Sequence, residues 1–229
     1  MKSQWPSSLL SALLVLPVTH PEGWHLLKFD RIPANQLSFT DKGLRIRVRN
    51  SAGPVVRMLA KRAVLDRVSV QGWYSGELHV PPGRQGEKHF DDYVLRLGLI
   101  EPGPHRLSAI QTRLAPQWIH TLQQMLPSDS GVRKIYCLDV GNDPARIGKE
   151  HDSASSPLFR ERVVAVPDAD GRFAFSVRLR HPTPTIGIWI GSDGDDSHSS
   201  FTVLLEKVEL NAVPQAPAVH AGTLEPRPN

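Results

Sequence analysis

The stretch Ser192-Asp193-Gly194-Asp195-Asp196-Ser197-His198 places three carboxylates around one glycine. Carboxylate oxygens are hard ligands, so Asp193, Asp195 and Asp196 could offer a calcium ion part of its shell, with a backbone carbonyl adding to it. The spacing does not match the longer helix-flanked calcium loop. Asp and Gly also dominate ordinary β-turns, which is the commoner use of this composition. A second acidic pair, Asp91 and Asp92, comes shortly before Arg96. On a strand, Asp92 and Arg96 share a face, and if buried they would form a charge-assisted pair that fixes local geometry. Asp and Glu side chains facing each other across a cleft could instead serve a carbohydrate-active hydrolase, which needs a carboxyl separation that sequence does not specify.

Aromatic residues offer a different chemistry. Trp73, Tyr74 and Trp189, with Trp24 and Trp118 as further members, could present flat apolar faces to sugar rings whose hydroxyls are met by polar groups at the rim. Each lies in or beside an apolar segment, where core packing is the ordinary role. The ten histidines are dispersed, with no HExxH or H-x-H pair, so a zinc site would need ligands gathered from distant segments. Cys137 stands alone in Val132–Leu138, excluding an intrachain disulfide and reading as a buried thiol without a local base. No phosphate-loop spacing and no G-x-S-x-G elbow is present.

The elements that must position these groups are mostly strands. Leu37–Phe39, Leu44–Val48, Val68–Val80, Asp91–Ile100, Val132–Val140, Arg160–Val166, Phe173–Arg180, Thr185–Ile190 and Phe201–Leu210 are apolar runs of strand length between turn residues. Within Asp91–Ile100 the alternation puts Tyr93, Leu95, Leu97 and Leu99 on one face. Arg45, Arg47 and Arg49 occupy alternate positions and would line one exposed face of a strand. Pro167-Asp168-Ala169-Asp170-Gly171 between two strand segments predicts a hairpin. Residues 115–126 break the pattern: Trp118, Ile119, Leu122, Met125 and Leu126 recur at helical spacing behind Pro116, which predicts one amphipathic helix. About ten strands with a single helix imply an all-β fold, a two-sheet antiparallel sandwich of jelly-roll type with that helix inserted.

With 229 residues, 40% hydrophobic and 22% charged, the chain can bury a real core as one domain. Its net charge of +4 comes from 27 basic residues spread among 23 acidic ones, a solvated surface rather than a nucleic-acid footprint. The run Leu9–Leu16 after one lysine is too short to span a bilayer and fits the apolar part of an export signal over residues 1–23. The alternative is an N-terminal strand or helix docked on the sandwich. The proline-containing stretch 212–229 predicts an extended or disordered tail, leaving 24–211 as the domain.

Three stretches taken in order resemble the bacterial family catalogued as domain of unknown function 3047. They are Gly23-Trp24-His25-Leu26-Leu27-Lys28-Phe29-Asp30-Arg31-Ile32-Pro33, Asp91-Asp92-Tyr93-Val94-Leu95-Arg96 and Ile188-Trp189-Ile190-Gly191-Ser192-Asp193-Gly194-Asp195-Asp196. The helical stretch around Trp118 and residues 143–156 depart from that pattern. The resemblance implies a jelly roll similar to galactose-binding-like domains and an exported, periplasmic location, and it brings no catalytic residue. The expectation from the sequence is thus a cell-envelope binding domain for a glycan or another polar ligand. Its alternatives are a carbohydrate-active hydrolase and a structural subunit that docks a protein partner through residues 115–126.

Overall fold

The alternation Leu44-Arg45-Ile46-Arg47-Val48-Arg49 becomes a strand with its aliphatic side chains buried and its three arginines in solvent. The same division between core and water builds the rest of the chain. The computed structural model describes residues 11–104, 113 and 115–214. Eleven strands run in order: β1 (Ala12–Val15), β2 (His25–Leu26), β3 (Gln36–Thr40), β4 (Gly43–Arg49), β5 (Val55–Glu77), β6 (Leu95–Gly103), β7 (Gly131–Val140), β8 (Glu150–Asp152), β9 (Phe159–Ala165), β10 (Arg172–Gly191) and β11 (Ser200–Ala212). Helix α1 (Gln117–Met125) lies between β6 and β7, inside the expected 115–126.

Two layers pack face to face as expected, and two strands belong to both. The first half of β5 (Val55–Met58) pairs with the end of β10 (Gly187–Ile190), which continues into β6, β7, β9 and β8. The second half of β5 pairs with the start of β10 on one side and β11 on the other, and β11 carries β4, β3 and β1. Register shifts in β10 between Arg178 and Thr183 and between Thr185 and Gly187 mark where it crosses between layers. That segment holds Pro182 and Pro184, which cannot donate to a ladder, so the regular pairing lapses where the strand must bend. The break that the sequence shows between Phe173–Arg180 and Thr185–Ile190 is thus a bend within one strand. In β11 a shift between Leu205 and Lys207 keeps Phe201, Val203, Leu205, Val208 and Leu210 all facing the core.

Two expectations are corrected. β9 and β10 do not form a hairpin: β9 pairs in parallel with β7, and β10 pairs with β5 and β6. The Pro167–Gly171 connection arches between the layers, with Gly171 at φ +79° and its backbone so close to Tyr74 O that a Cβ would lie 2.1 Å from it. β6 is not half-buried. Leu95, Leu97 and Leu99 face the main core, while Arg96 and Ile100 are buried on the opposite side, and Tyr93 lies before the strand begins and leaves the alternation.

The cause of that double burial is a second apolar cluster on the outer face of the β5–β10–β6–β7–β9 layer. Val56, Ile100, Ile135, Cys137, Phe159 and Trp189 meet Leu27 and the α1 side chains Trp118 and Leu122 there. Helix α1 has no side-chain N-cap, no acid in its first turn and no base in its last. Nine residues are marginal as an isolated helix, so this packing is what holds it. Of the expected export segment, residues 1–10 lie outside the described residues, whereas 12–15 form β1 on the edge of β11, and Leu16 and Val18 are buried in the main core. The predicted tail lies outside the described residues from 215 onward. No helix among the described residues is long and apolar enough to cross a membrane.

Candidate functional site

One end of the α1-covered layer opens into a cavity of about 430 Å³. Trp189, Trp118, Phe159 and Phe29 form its apolar side, and Asp91, Asp92, Asp193, Asp195 and Asp196 its acidic side, with Ser153 and Ser155 between. Trp189 extends from β10 across the neighbouring β6, and it can do so because residue 98 is glycine. A Cβ there would sit 2.6 Å from Ile135 and 3.1 Å from the Trp189 Cβ. The indole is then held edge-on by Phe159 at 5.1 Å and by Trp118 at 5.6 Å between ring centroids.

The acidic side is organised around Arg96. Its Nη2 pairs with Asp91 Oδ1 at 2.7 Å, its Nη1 faces Glu161 Oε1 at 3.3 Å, and its Nε faces Asp193 Oδ2 at 3.1 Å. The guanidinium also lies 4.5 Å from the centre of the Tyr93 ring. Asp91 accepts from Ser153 Oγ at 3.2 Å and from Ser155 Oγ at 2.6 Å. The loop after β10 is fixed by buried polar groups: Asn35 Nδ2 donates to Ser192 O at 2.7 Å, and Ser51 Oγ donates to Asn35 Oδ1 at 2.7 Å. Its far end is tied by Asp92, whose Oδ2 accepts from both Ser197 N at 2.7 Å and Ser197 Oγ at 2.5 Å. Buried hydrogen bonds and ion pairs of this kind hold a site in one arrangement before any ligand arrives.

Several acids share one cation here, and their proton affinities diverge accordingly. Burial pushes the Asp193 carboxyl up to about 8, the charges of Asp92, Asp195 and Asp91 add to this, and Arg96 opposes it. Asp195 is pushed up to about 6, first by burial and then by Asp92. Asp92 is raised by burial and by Asp196, against the Ser197 hydrogen bonds. Behind them, Asp139 is fully buried with neither carboxylate oxygen hydrogen-bonded, and burial beside Glu161 raises it well above the carboxylate range. Burial works on Glu161 in the same sense, but Arg96 and the His151 contact at 3.2 Å outweigh it and keep this carboxylate ionised.

The expected residues are distributed as follows. Trp189, Asp193, Asp195 and Asp196 meet in this cavity, whereas Trp73 and Tyr74 line a separate groove beside the Pro167–Gly171 arch. Trp73 Nε1 donates to Asp170 O there, and Tyr74 packs on Phe201. Among the described residues no group of three or more acidic, His or Cys side chains converges as a metal site, Asp193, Asp195 and Asp196 included. Asp193 itself faces the Arg96 guanidinium. Arg96 pairs with Asp91 rather than with Asp92, because Asp92 is held by Ser197. Helix α1, expected as a docking element, turns Trp118 and Leu122 inward as part of the cavity wall and its surroundings. Cys137 is buried with its thiol pushed up by burial, so it stays protonated and inert.

Sequence reasoning misses Glu161, Asp139, Ser153 and Ser155 as site residues. Each acid leaves a signal, being a charge inside an apolar strand: Asp139 in Cys137-Leu138-Asp139-Val140, and Glu161 two residues after Phe159. The serines leave none, because only the tertiary fold brings residues 153–155 to Asp91.

No family model and no curated protein matches the chain. Similar solved structures include the xylan-binding module CBM15, with a TM-score of 0.38 and 8% identity over 90% of this chain and 99% of that one. The family 29 carbohydrate-binding module CBM29_1 from Piromyces equi gives 0.39 and 9% over 88% and 91%. The K2 cleaved adhesin domain of Lys-gingipain gives 0.38 and 11% over 87% and 99%.

Proposed function

We propose that this chain is a binding domain of the cell envelope whose cavity between α1 and the Ser192–Asp196 loop takes an uncharged sugar. The supporting observation is the division of one cavity into an aromatic side and a carboxyl side. A pyranose presents the matching pair of surfaces, an apolar C–H face for the rings and a rim of hydroxyls for the acids. The cavity volume falls within the range of small-ligand sites. Asp193 and Asp195, with raised proton affinities, can both donate and accept near neutral pH, which suits hydroxyl partners. An anionic ligand would meet five aspartates against Arg96, so charge opposes it. The exported location rests on the family resemblance.

A glycan array followed by thermal melting with each hit tests this reading. A neutral glycan that raises the melting temperature of the native chain, and that loses this effect in Asp195→Asn, supports it. Absence of any stabilising neutral glycan overturns it. A second reading, a glycoside hydrolase, is favoured by the same raised carboxyls, since an acid protonated near pH 6–8 can protonate a leaving group. Release of new reducing ends from a bound glycan would establish that reading, and intact glycan would exclude it.

A further inference from the structure

The outer face of the layer formed by β3, β4, β11, the second half of β5 and the first half of β10 has chemistry opposite to that of the cavity. Alternation and register put Arg45, Arg47 and Arg49 of β4, Arg67 of β5, and Arg172 and Arg178 of β10 on this one face. Arg45 and Arg172 lie in one cross-strand row through Leu204 and Trp73, and Arg67 lies directly opposite Arg178. Five of the six are exposed and Arg67 is partly so. Among the described residues none of the six forms an ion pair, and the acids Glu77 and Glu209 pair with His79 and Lys207. Arg67 has a hydrogen bond to Ser176 Oγ at 3.4 Å, a neutral partner.

Like charges placed opposite each other on a sheet destabilise it unless something external compensates. Here they extend in two directions: about 14 Å across three strand spacings from Arg45 to Arg172, and about 20 Å along β10 from Arg172 to Arg178. A linear polymer would meet one row of such an array; a plane meets all of it. At the β11 edge β1 adds Leu13 and Val15, 56% and 58% exposed, which by their pairing with Asn211 and Glu209 project to the same side. Single-stranded nucleic acid sites stack bases on successive aromatics, and Trp73 is the sole aromatic side chain among the described residues of this face.

We propose that this face docks on an anionic lipid surface, the guanidiniums meeting headgroup phosphates and Leu13 and Val15 entering the interface at one edge. Basic residues at such a surface and apolar side chains at the acyl boundary are the two contributions that hold peripheral proteins. The site is independent of the cavity, so either proposal can fail alone.

Co-sedimentation of the full chain with phosphatidylglycerol–phosphatidylcholine vesicles tests this, with pure phosphatidylcholine vesicles, polygalacturonate and single-stranded DNA as comparison probes. Each basic residue near an anionic surface contributes about fivefold in affinity, so the triple variant Arg45→Gln, Arg47→Gln, Arg49→Gln should bind about 100-fold more weakly. The control triple Lys28→Gln, Lys88→Gln, Lys149→Gln removes the same charge away from this face and should bind like the native chain. Binding that needs phosphatidylglycerol, weakens with salt and is lost only in the arginine variant supports the proposal. No vesicle binding, equal loss in both triples, or binding to polygalacturonate or DNA without vesicle binding overturns it.

Discussion

Asp193→Asn should flatten the way stability depends on pH. In the native chain the Asp193 carboxyl is raised from 3.8 to about 8 by burial, with its side chain only 13% exposed. A group whose folded value is raised contributes stability that is complete below its unfolded value and is lost as pH rises through the folded value. For Asp193 the window is therefore pH 4 to 8. Between pH 5 and pH 8 the loss is roughly 3–4 kcal/mol, because each pH unit crossed inside the window removes about 1.4 kcal/mol. Asp195 and Asp92, also raised, act in the same direction, whereas Glu161 is lowered and acts in the opposite one. Asparagine is isosteric with the protonated acid, so the variant should match the native chain at pH 5 and exceed it at pH 8. For a chain of this size that excess corresponds to about 10 °C in melting temperature. Melting or urea unfolding at pH 5, 6, 7 and 8 measures it. A native stability that is flat or rising from pH 5 to 8, or an unchanged slope in Asp193→Asn, would refute the reasoning.

Other perturbations follow from the same geometry. Arg96→Met leaves Asp91, Glu161 and Asp193 without their shared cation and should cost about 3–5 kcal/mol at pH 8, read as a lowered urea midpoint, with partial recovery at pH 5 as Asp193 protonates. Gly98→Val puts side-chain atoms where Ile135 and Trp189 already lie and should cost about 1–3 kcal/mol while changing the Trp189 fluorescence, because the indole must leave its place. A chain starting at Gly23 loses the buried Leu16 and Val18 and the β1 cover of β11; removing these should lower stability by about 3–5 kcal/mol, read from urea unfolding. Mass spectrometry of the envelope fraction would show whether the cell retains residues 11–23.

Much of the fold is legible in the residues. Leu44-Arg45-Ile46-Arg47-Val48-Arg49 is an unambiguous half-buried strand, and Trp118, Leu122 and Leu126 mark a helix by period alone. What period cannot encode is pairing. The Phe173–Arg180 and Thr185–Ile190 segments look like two strands because Pro182 and Pro184 interrupt them, yet they form one strand that changes layers. Gly171 suggests a hairpin because a positive φ serves an arch between layers as well as a tight turn within one. The site is half legible. Asp193, Asp195 and Trp189 are close in sequence and meet in space, but Trp73 and Tyr74 line another groove because they lie in the second half of β5, in the other layer. Strand period joins Arg96 to the wrong acid, since a shared face specifies proximity and not which neighbour a serine has already claimed.

The aromatic and acidic sides of the cavity are assigned to one ligand, and the indole N–H signals of the tryptophans report on that assignment residue by residue. Titration of the ¹⁵N-labelled chain with the neutral glycan that most raises its melting temperature should shift Trp118 and Trp189 and leave Trp73 unmoved. Shifts confined to Trp73, or none at Trp118 and Trp189, would contradict it.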